Sequence, residues 1–277
     1  MTDALTSTFF EIERHGAVAE IRMNRPDKAN GMTPDFWEDL PRLVDALDAD
    51  TTVRALVLTG AGRNFTGGMD LSTFNNLAQI MQAEPARAAY AMRKKVLYYQ
   101  ETFNALERSR LPVIAAIQRA CIGGGIDMIS ACDIRLATED AYFSIEEINI
   151  GMAADVGTLQ RLPKLIPMGI VQELALTGRR FTVAEAQGWG LINAIPADAE
   201  AVRTAALEMA QEIASKSPVA IAGVKKSLIY ARDHTVADSL EQIATWNGGM
   251  LRPEDLMGAI QARMASKEAV FKDLLAA

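Results

Sequence analysis

Two of the three acidic side chains in a largely apolar segment are candidates for chemistry; the segment, FSIEEINIGMAADVGTLQRLP, runs from Phe143 to Pro163. They are Glu147 and Asp155, and the latter lies between Ala154 and Val156. A carboxylate in apolar surroundings loses solvation, which raises its pKa and lets it hold a proton near neutral pH. Two such acids can serve as a general acid and a general base. The segment therefore indicates proton-transfer chemistry.

Structural explanations for the same acids remain open at this point. Asp155 could cap the N-terminus of a helix over VGTLQRL, and Glu147 could be a solvated residue at the end of a strand. A third acid, Asp127, follows the stretch CIGGG and could simply be favoured by the dipole of the helix that begins there. These interpretations give the acids no part in a reaction.

Two glycine-rich turns, FTGGMD and CIGGGID, each follow a short apolar segment. Glycine permits positive φ and lets a ligand approach the backbone closely. Two such turns side by side could direct two N–H groups at one oxygen and form an oxyanion hole. The alternative is that the glycines only make tight strand-to-helix connections. Nucleotide binding is less favoured, because the sequence contains neither GxGxxG nor GK[ST].

The elements that must hold these residues begin with strands and helices in alternation. FFEIERHGAVAEIRMN predicts a β-hairpin around His15 and Gly16, while RALVLTG and LPVIAAI predict buried strands. PDFWEDLPRLVDALDAD predicts a helix with Thr33 as its N-cap and Pro34 at its first position. A long amphipathic helix is predicted from about 85 to 106.

This alternation indicates an α/β fold with parallel strands, which we assign to a core of residues 1–198. From residue 199 to 277 the segments are all helical in pattern. We therefore expect a core followed by a helical C-terminal region.

Composition argues against several classes of function. The chain has 277 residues, a net charge of −7 and no long run of Lys or Arg, so a basic nucleic-acid-binding surface is not expected. Cys121 and Cys132 form neither a metal motif nor a disulfide framework, and no metal is expected. The sequence shows no signal peptide and no apolar run long enough for a bilayer. These features predict a cytoplasmic protein with no membrane attachment.

Several segments, in order along the chain, resemble the crotonase (enoyl-CoA hydratase/isomerase) superfamily: NRPDKANGM, FTGGMDL, IAAIQRACIGGGIDMISACDIRLAT, FSIEEINIGMAADVGTLQRLP and LALTGRRFTVAEAQGWGLIN. The resemblance implies a spiral of ββα units followed by a helical region used for trimerisation. It implies a homotrimer, or a hexamer built as a dimer of trimers. It also implies an acyl-coenzyme A thioester as substrate, with coenzyme A as part of that substrate and no separate cofactor.

The resemblance also implies roles for particular residues. The oxyanion hole would consist of the main-chain N–H groups of Met69 and Gly124. The implied substrate-binding residues around it are Lys28, Ala29, Thr66, Gly67, Gly68, Asp70 and Gly123. Lys28 is a candidate partner for the coenzyme A phosphates, and weaker candidates are Lys225, Lys226 and Lys267.

The acids distinguish between branches of the superfamily. Enoyl-CoA hydratases carry glutamates at the positions of Asp127 and Glu147, and usually a small residue at the position of Asp155. With its additional acid, the chain most closely resembles the Δ3,5-Δ2,4-dienoyl-CoA isomerases. This similarity implies an isomerase of lipid metabolism that converts a 3,5-dienoyl-CoA to a 2,4-dienoyl-CoA through an enolate.

By this resemblance, Asp155 would take a proton from C2, Glu147 would protonate C6, and Asp127 would be a buried supporting acid. Two alternatives remain. The chain could be an enoyl-CoA hydratase that uses Asp127 and Glu147 to activate water, or a non-catalytic relative that binds acyl-CoA.

Overall fold

The computed structural model describes residues 5–276, apart from the side chains of Leu71 and Asn76. Its strands are β1 (Phe10–His15), β2 (Val18–Met23), β3 (Ala55–Gly60), β4 (Val113–Ile117), β5 (Ala120–Ile122), β6 (Ile134–Ala137), β7 (Tyr142–Ser144) and β8 (Phe181–Thr182). Its helices are α1 (Pro34–Ala49), α2 (Leu71–Met81), α3 (Pro85–Arg108), α4 (Gly124–Ser130), α5 (Thr158–Arg161), α6 (Met168–Thr177), α7 (Val183–Gly188), α8 (Ala199–Ala214), α9 (Pro218–Asp233), α10 (Val236–Met250) and α11 (Pro253–Met264).

The larger sheet has the strand order β1-β2-β3-β4-β6. β1 and β2 form the predicted antiparallel hairpin, in which His15 pairs with Val18 around Gly16 at φ +64°. The pairs β2–β3, β3–β4 and β4–β6 are parallel, which confirms the predicted parallel α/β core. The connections between these strands contain helices, because neighbouring parallel strands must be joined by a crossover.

Both faces of this sheet are covered, which explains why its strands are apolar at nearly every position. On β3, Leu56 and Leu58 pack into the larger core with α1 and α3, while Ala55 and Val57 face the opposite side. That opposite side packs against α8, which presents Val202, Ala206, Ala210 and Ala214 at helical spacing. Small alanine side chains allow this helix to lie close to the strands.

A second, smaller sheet has the order β5-β7-β8, with β5 and β7 parallel and β7 and β8 antiparallel. Only two residues separate the end of β4 from the start of β5, so the chain passes directly from the large sheet to the small one. This step places the turn after β5 at the boundary between the two sheets. α4 starts there, at Gly124.

Helix α1 follows the prediction closely, with Thr33 at the N-cap position and Pro34 at its first position. The Thr33 side chain, however, makes no capping hydrogen bond within residues 5–276. The indole of Trp37 on α1 is fully buried, with its ring centroid 4.6 Å from that of Tyr99 and 5.4 Å from that of Phe103 on α3. This aromatic contact fixes α1 against α3.

The chain from Ala199 onward forms the four helices α8, α9, α10 and α11 within the described range. α8 packs on the larger sheet, and α9 is attached to the core through buried Lys225. Large apolar side chains on α9, α10 and α11 are exposed, among them Leu228, Leu240 and Ile260. Over residues 5–276, no helix combines the length and the apolar character needed to cross a membrane.

Candidate active site

The two glycine-rich turns lie side by side because the residues before them pair in parallel, Thr66 with Cys121. The Ile122 N–H donates to Thr66 O at 3.2 Å. A methyl group built on Gly68 would lie 2.8 Å from Ile122 O and 3.8 Å from Gly123 Cα. Gly68 also has φ +89° and Gly123 has φ +53°, so close approach and backbone conformation together require these glycines.

The first turn presents the main-chain N–H of Met69, which follows Gly68. The second turn presents the main-chain N–H of Gly124, which follows Gly123. Met32 lies behind both, because it pairs with Met69 and its sulfur would be 2.9 Å from a Cβ built on Gly124. Neither N–H donates a hydrogen bond to an acceptor within residues 5–276. Two such donors on neighbouring turns can stabilise negative charge on a single ligand oxygen.

The loop before α1 is held against the first turn by two hydrogen bonds. The Gly67 N–H donates to Ala29 O at 2.7 Å, and Thr66 Oγ1 donates to Asn30 O at 2.9 Å. Ala29 takes the left-handed conformation, with φ 48°, and the neighbouring Lys28 is exposed. Of the residues predicted to bind substrate, Lys28, Ala29, Thr66 and Gly67 therefore lie together on this side of the turns.

Two other predicted ligand residues are engaged elsewhere. Asp70 forms an ion pair with Arg25 and accepts the Ser72 N–H at 2.9 Å at the start of α2. The hydrogen bond from Arg25 and those from Ser72 lower the pKa of Asp70 to about 2. Lys225 is buried, with its Nζ 2.9 Å from Asp133 and bonded to two main-chain carbonyls. The expectation that Lys225 contacts phosphate is therefore wrong, because its ammonium group faces the protein interior.

An apolar cavity of about 620 Å³ begins at the first turn and runs between α2 and α3. Helix α3 lines it with Met92, Val96 and Tyr99, whose spacing places them on one face. The remaining lining residues are Met69, Phe74, Leu77, Ala78, Met81, Ile150, Gly151, Met152 and Asp155. The mostly apolar wall suits a hydrocarbon chain, and Asp155 adds a carboxyl group to it.

Glu147 lies at the other end of the site, beside the second turn. It opens a short 3-10 helix, Glu147–Ile150, and its Oε1 would be 3.3 Å from a Cβ built on Gly123. Its Oε2 is buried and has no hydrogen-bond partner among the described residues. Burial, followed by the negative charge of Asp127, raises the pKa of Glu147 to about 7. Glu147 is therefore neither the solvated strand-end residue nor part of the cavity wall.

Asp155 is half-buried, and burial raises its pKa. Gln100 on α3 donates from Nε2 to the main-chain O of Asp155 at 2.7 Å and so fixes the segment that carries the acid. The N-cap of α5 is Gly157 rather than Asp155. The capping interpretation of Asp155 is therefore wrong.

Asp127 on α4 is fully buried, and its Oδ1 accepts the Thr158 N–H at 2.6 Å. Its Oδ2 meets no hydrogen-bond partner in the part of the chain that the structure describes. Burial raises the pKa of Asp127 to about 6, against the lowering effect of the Thr158 hydrogen bonds. Asp127 thus binds the N-terminus of α5 and does more than favour its own helix.

The three acids influence one another, because the charge of Asp155 raises the pKa of both Asp127 and Glu147. Carboxyl groups coupled in this way do not all ionise together near neutral pH. One can accept a proton while another donates one. The arrangement can therefore move a proton away from one position of a ligand and deliver another proton to a second position.

Sequence reasoning missed Gln100, Thr158 and Arg161, which contact the acids or their supporting segment. Arg161 is 8% exposed, and its Nη2 donates to Asn104 Oδ1 at 2.6 Å and to Glu107 Oε2 at 3.1 Å. The sequence offered one signal for this part of the site. It was the charge of Arg161, three residues after Thr158 in a largely apolar stretch. The residues on α3 carried no signal, because their spacing alone does not say what they face.

Comparison with known proteins gives consistent results. The sequence profile described as "Enoyl-CoA hydratase/isomerase" matches residues 13–266. The chain is 45% identical over 253 residues to the human "Delta(3,5)-Delta(2,4)-dienoyl-CoA isomerase, mitochondrial", covering 91% of this chain and 77% of that protein. It is 38% identical over 260 residues to the peroxisomal protein of the same name from Arabidopsis thaliana, covering 93% and 94% of the two chains.

Among solved structures, an enoyl-CoA hydratase from Bacillus anthracis superposes with a TM-score of 0.86 and 27% identity, covering 96% of this chain and 99% of that one. The two sheets and the C-terminal helices therefore form the crotonase fold that the sequence motifs implied.

The expected cytoplasmic location is wrong by the same comparison. The human relative is named as mitochondrial, and the relative from Arabidopsis as peroxisomal. That expectation rested chiefly on the absence of a recognisable signal peptide and of a membrane-spanning apolar run, and an absence does not identify a compartment.

Proposed function

The chain belongs to the enoyl-CoA hydratase/isomerase family and is an acyl-CoA double-bond isomerase, and from this premise we propose how its acids convert a 3,5-dienoyl-CoA to a 2,4-dienoyl-CoA. The observation that carries the proposal is the separation of two acids along one site. Glu147 lies beside the second glycine-rich turn, and Asp155 lies in the wall of the apolar cavity. A proton shift from C2 to C6 requires acids at two such points.

The thioester oxygen binds between the N–H groups of Met69 and Gly124. Removing a proton from C2 moves negative charge onto that oxygen, so the two donors stabilise the enolate more than they stabilise the substrate. Each donor is worth roughly 3–4 kcal/mol in transition-state stabilisation. The absence of a competing acceptor for either N–H within residues 5–276 supports this role.

The position of Glu147 supports a role at C2, which reverses the assignment expected from the sequence. C2 is bonded to the carbonyl carbon, so it lies next to the oxyanion donors. The Glu147 carboxyl reaches the adjacent Gly123, and the cavity containing Asp155 extends towards α2 and α3. C6 lies further along the acyl chain. Glu147 therefore takes the C2 proton, and Asp155 supplies the C6 proton.

The ionisation of the two acids is compatible with these roles. A pKa of about 7 gives Glu147 both a useful ionised fraction and high basicity near neutral pH. Burial already raises the pKa of Asp155, and an acyl chain that fills the cavity removes more water from this carboxyl. The bound substrate thus favours the protonated form that C6 requires. Asp127 supports Glu147 and does not contact the reacting carbons.

The remaining parts of the proposal concern binding. Coenzyme A is part of the substrate and no separate cofactor takes part. Lys28 is exposed beside the first turn, where its ammonium group can meet a phosphate of coenzyme A. Ala29, Thr66, Gly67, Gly68 and Gly123 shape the backbone against which the thioester end lies, whereas Asp70 holds that backbone through Arg25.

The decisive experiment follows exchange at C2 with Asp155→Asn and Glu147→Gln in deuterated water, using recovered 3,5-dienoyl-CoA and mass spectrometry. Asp155→Asn should form the 2,4-dienoyl-CoA product roughly 10²–10⁴-fold more slowly. It should still exchange the C2 hydrogen, because the base Glu147 remains. Glu147→Gln should lose both. Substrate incubated without enzyme gives the background. Exchange by Glu147→Gln, but not by Asp155→Asn, would contradict the carbon assignment.

The same proteins separate isomerisation from hydration. Wild type should produce the 2,4-diene chromophore from a 3,5-dienoyl-CoA. Addition of water to a 2-enoyl-CoA, without any dienoyl activity, would support the hydratase alternative based on Asp127 and Glu147. Tight binding of both thioesters with turnover of neither would support the non-catalytic alternative.

A further inference from the structure

Arg161 is a buried cation next to the acid cluster, and the proposed reaction assigns it no role. It ends α5, the short helix whose first residue, Thr158, is bonded to Asp127. Its Nε is buried and lacks a hydrogen-bond partner within residues 5–276. A charged side chain at such a site is costly unless the charge itself is used or compensated.

The charge of Arg161 is only partly compensated. Arg161 donates to Glu107 on α3, but Glu107 also forms an ion pair with Arg232 on α9. One carboxylate is therefore shared between two guanidinium groups. Asp233 pairs with Arg232 on its other side and does not contact Arg161. Arg161 nevertheless lowers the pKa of Asp127, so its charge acts beyond its pairing with Glu107.

Arg161 and Asp127 meet on one side of Gly157. A Cβ built on Gly157 would lie 2.1 Å from Arg161 Nη1 and 4.0 Å from Asp127 Oδ1. The two groups are thus at most about 6 Å apart, within the range in which one charge changes the ionisation of another. Gly157, at φ +141°, provides this contact because a side chain at that position would displace the guanidinium.

We propose that Arg161 is a positioning residue that keeps Asp127 ionised, so that the negative charge of Asp127 makes Glu147 a stronger base. The inference rests on the proposed role of Glu147 as the C2 base. Arg161 acts through Asp127 and touches neither the substrate nor Glu147.

The sign of the effect follows from the groups that face these acids. Asp127 faces Glu147, Asp155, Arg161 and the neutral, buried thiol of Cys121, and Glu147 also faces Glu146, whose charge raises the pKa of Glu147. Arg161 lowers the pKa of Asp127, and ionised Asp127 raises the pKa of Glu147. Without the cation, a proton moves to Asp127 and Glu147 loses a repelling charge. The pKa of Glu147 then falls, since Asp127, and not Arg161, shifts it directly.

The test is the pH dependence of kcat/KM for 3,5-dienoyl-CoA. In wild type, activity should fall as pH decreases through about 7, where Glu147 becomes protonated. This fall in activity on the low-pH side is the acid limb of the pH profile. In Arg161→Gln the acid limb should move to lower pH by roughly 1 pH unit. In the pH range where Asp127 now holds a proton, the rate should also decrease, because a weaker base removes the C2 proton more slowly.

Two variants keep the cation while disturbing the same contacts. Arg161→Lys retains the charge, and Glu107→Gln removes a hydrogen-bonding carboxylate from Arg161. Both should keep the acid limb at its wild-type pH even if their rates fall. A merely structural role for Arg161 would predict lower rates in all three variants with one unchanged limb, and that result would overturn the inference.

The route through Asp127 is tested separately. Asp127→Asn should move the acid limb in the same direction as Arg161→Gln, and the double variant should show no further movement. Additive movements would overturn the route through Asp127. If Glu147→Gln retains the wild-type acid limb, the proposed base is wrong. If only Arg161→Gln fails to move the limb, the base stands and the inference alone fails.

Discussion

At the scale of single residues, environment decides what a carboxyl group does. Asp70 and Asp127 are both aspartates near a glycine-rich turn, yet their pKa values lie on opposite sides of the ordinary range. Arg25 and two bonds to Ser72 hold Asp70 ionised, whereas burial raises the pKa of Asp127. Residue type alone therefore could not separate the acid that stabilises a loop from the acid that supports a reaction.

Gly157 gives a residue-scale prediction for stability. Gly157→Ala should lower the free energy of unfolding by roughly 2–4 kcal/mol, because a side chain is strained at φ +141° and its methyl group must also displace the buried guanidinium of Arg161. Gly151→Ala is the matched control, since Gly151 also has positive φ but meets no atom within 4 Å among the described residues. Urea unfolding measures both variants. Equal losses for the two alanines would show that backbone strain, rather than the contact with Arg161, decides the cost.

The residues of the site were predictable to different degrees. Glu147 and Asp155 stood out as acids among apolar residues, whereas Asp127 was assigned to the site by the family resemblance. Gln100 and Glu107 could not, because they are ordinary polar residues on a surface-like stripe of a long helix. Only the fold shows that this stripe faces the segment from Asp155 to Arg161.

At the scale of elements, α3 serves two parts of the site. Its residues Met92, Val96 and Tyr99 line the apolar cavity, and its residues Gln100, Asn104 and Glu107 bond to the segment that carries the acids. Each set follows helical spacing. The wall for the acyl chain and the support for Asp155 therefore belong to one rigid element.

Gln100→Leu is expected to separate these two duties. Loss of the hydrogen bond to Asp155 O should lower kcat by roughly 10-fold or more, because the carboxyl is no longer held at C6. KM should change little, since the apolar lining residues remain. Glu101→Gln, an exposed change on the same turn of α3, is the control and should leave both constants at wild-type values. A large rise in KM with unchanged kcat would instead place Gln100 in substrate binding.

Element boundaries could be predicted where local signals were strong. The hairpin at Gly16, the start of α1 at Pro34 and the start of α3 at Pro85 all carry such signals. No pattern in the sequence predicted α2, which follows the first glycine-rich turn directly. The separate sheet of β5, β7 and β8 was also not foreseeable, because its strands have two or three residues and acquire their pairing from distant contacts.

At the scale of the whole molecule, the C-terminal helices are tied to the core by charged groups. Lys225 pairs with Asp133, and Arg54 beside β3 bonds to Asp273 near the end of the chain. Arg232 connects α9 to Glu107 and so to the acid segment. These contacts leave the apolar residues of α9, α10 and α11 on the outside.

We propose that these apolar faces associate copies of the chain into a trimer, or into a hexamer of two trimers. Leu228 on α9 is 67% exposed and Leu240 on α10 is 63% exposed, and these helices and α11 expose further large apolar side chains, as an interface between copies requires. Wild type should sediment as a trimer or twice that mass. Leu228→Glu combined with Leu240→Glu should give monomers, because each new charge would be buried at the interface.

Leu176→Glu is the control, since Leu176 is 74% exposed on α6, which precedes the C-terminal helices in the chain. This variant should retain the wild-type sedimentation. A wild type that sediments as a monomer at micromolar concentration would contradict the proposal.

The placement of Trp37 gives the enzyme an internal optical reporter. Its indole would be 3.9 Å from a Cβ on Gly124, and it also contacts Tyr99 of the cavity wall. We therefore expect the fluorescence of Trp37 to respond to a bound ligand, since Trp37 lies between the sites proposed for its thioester and for its hydrocarbon chain. Loading and release of ligand can be followed in real time without attaching a dye, provided that the signals of Trp189 and Trp246 are removed by substitution with Phe.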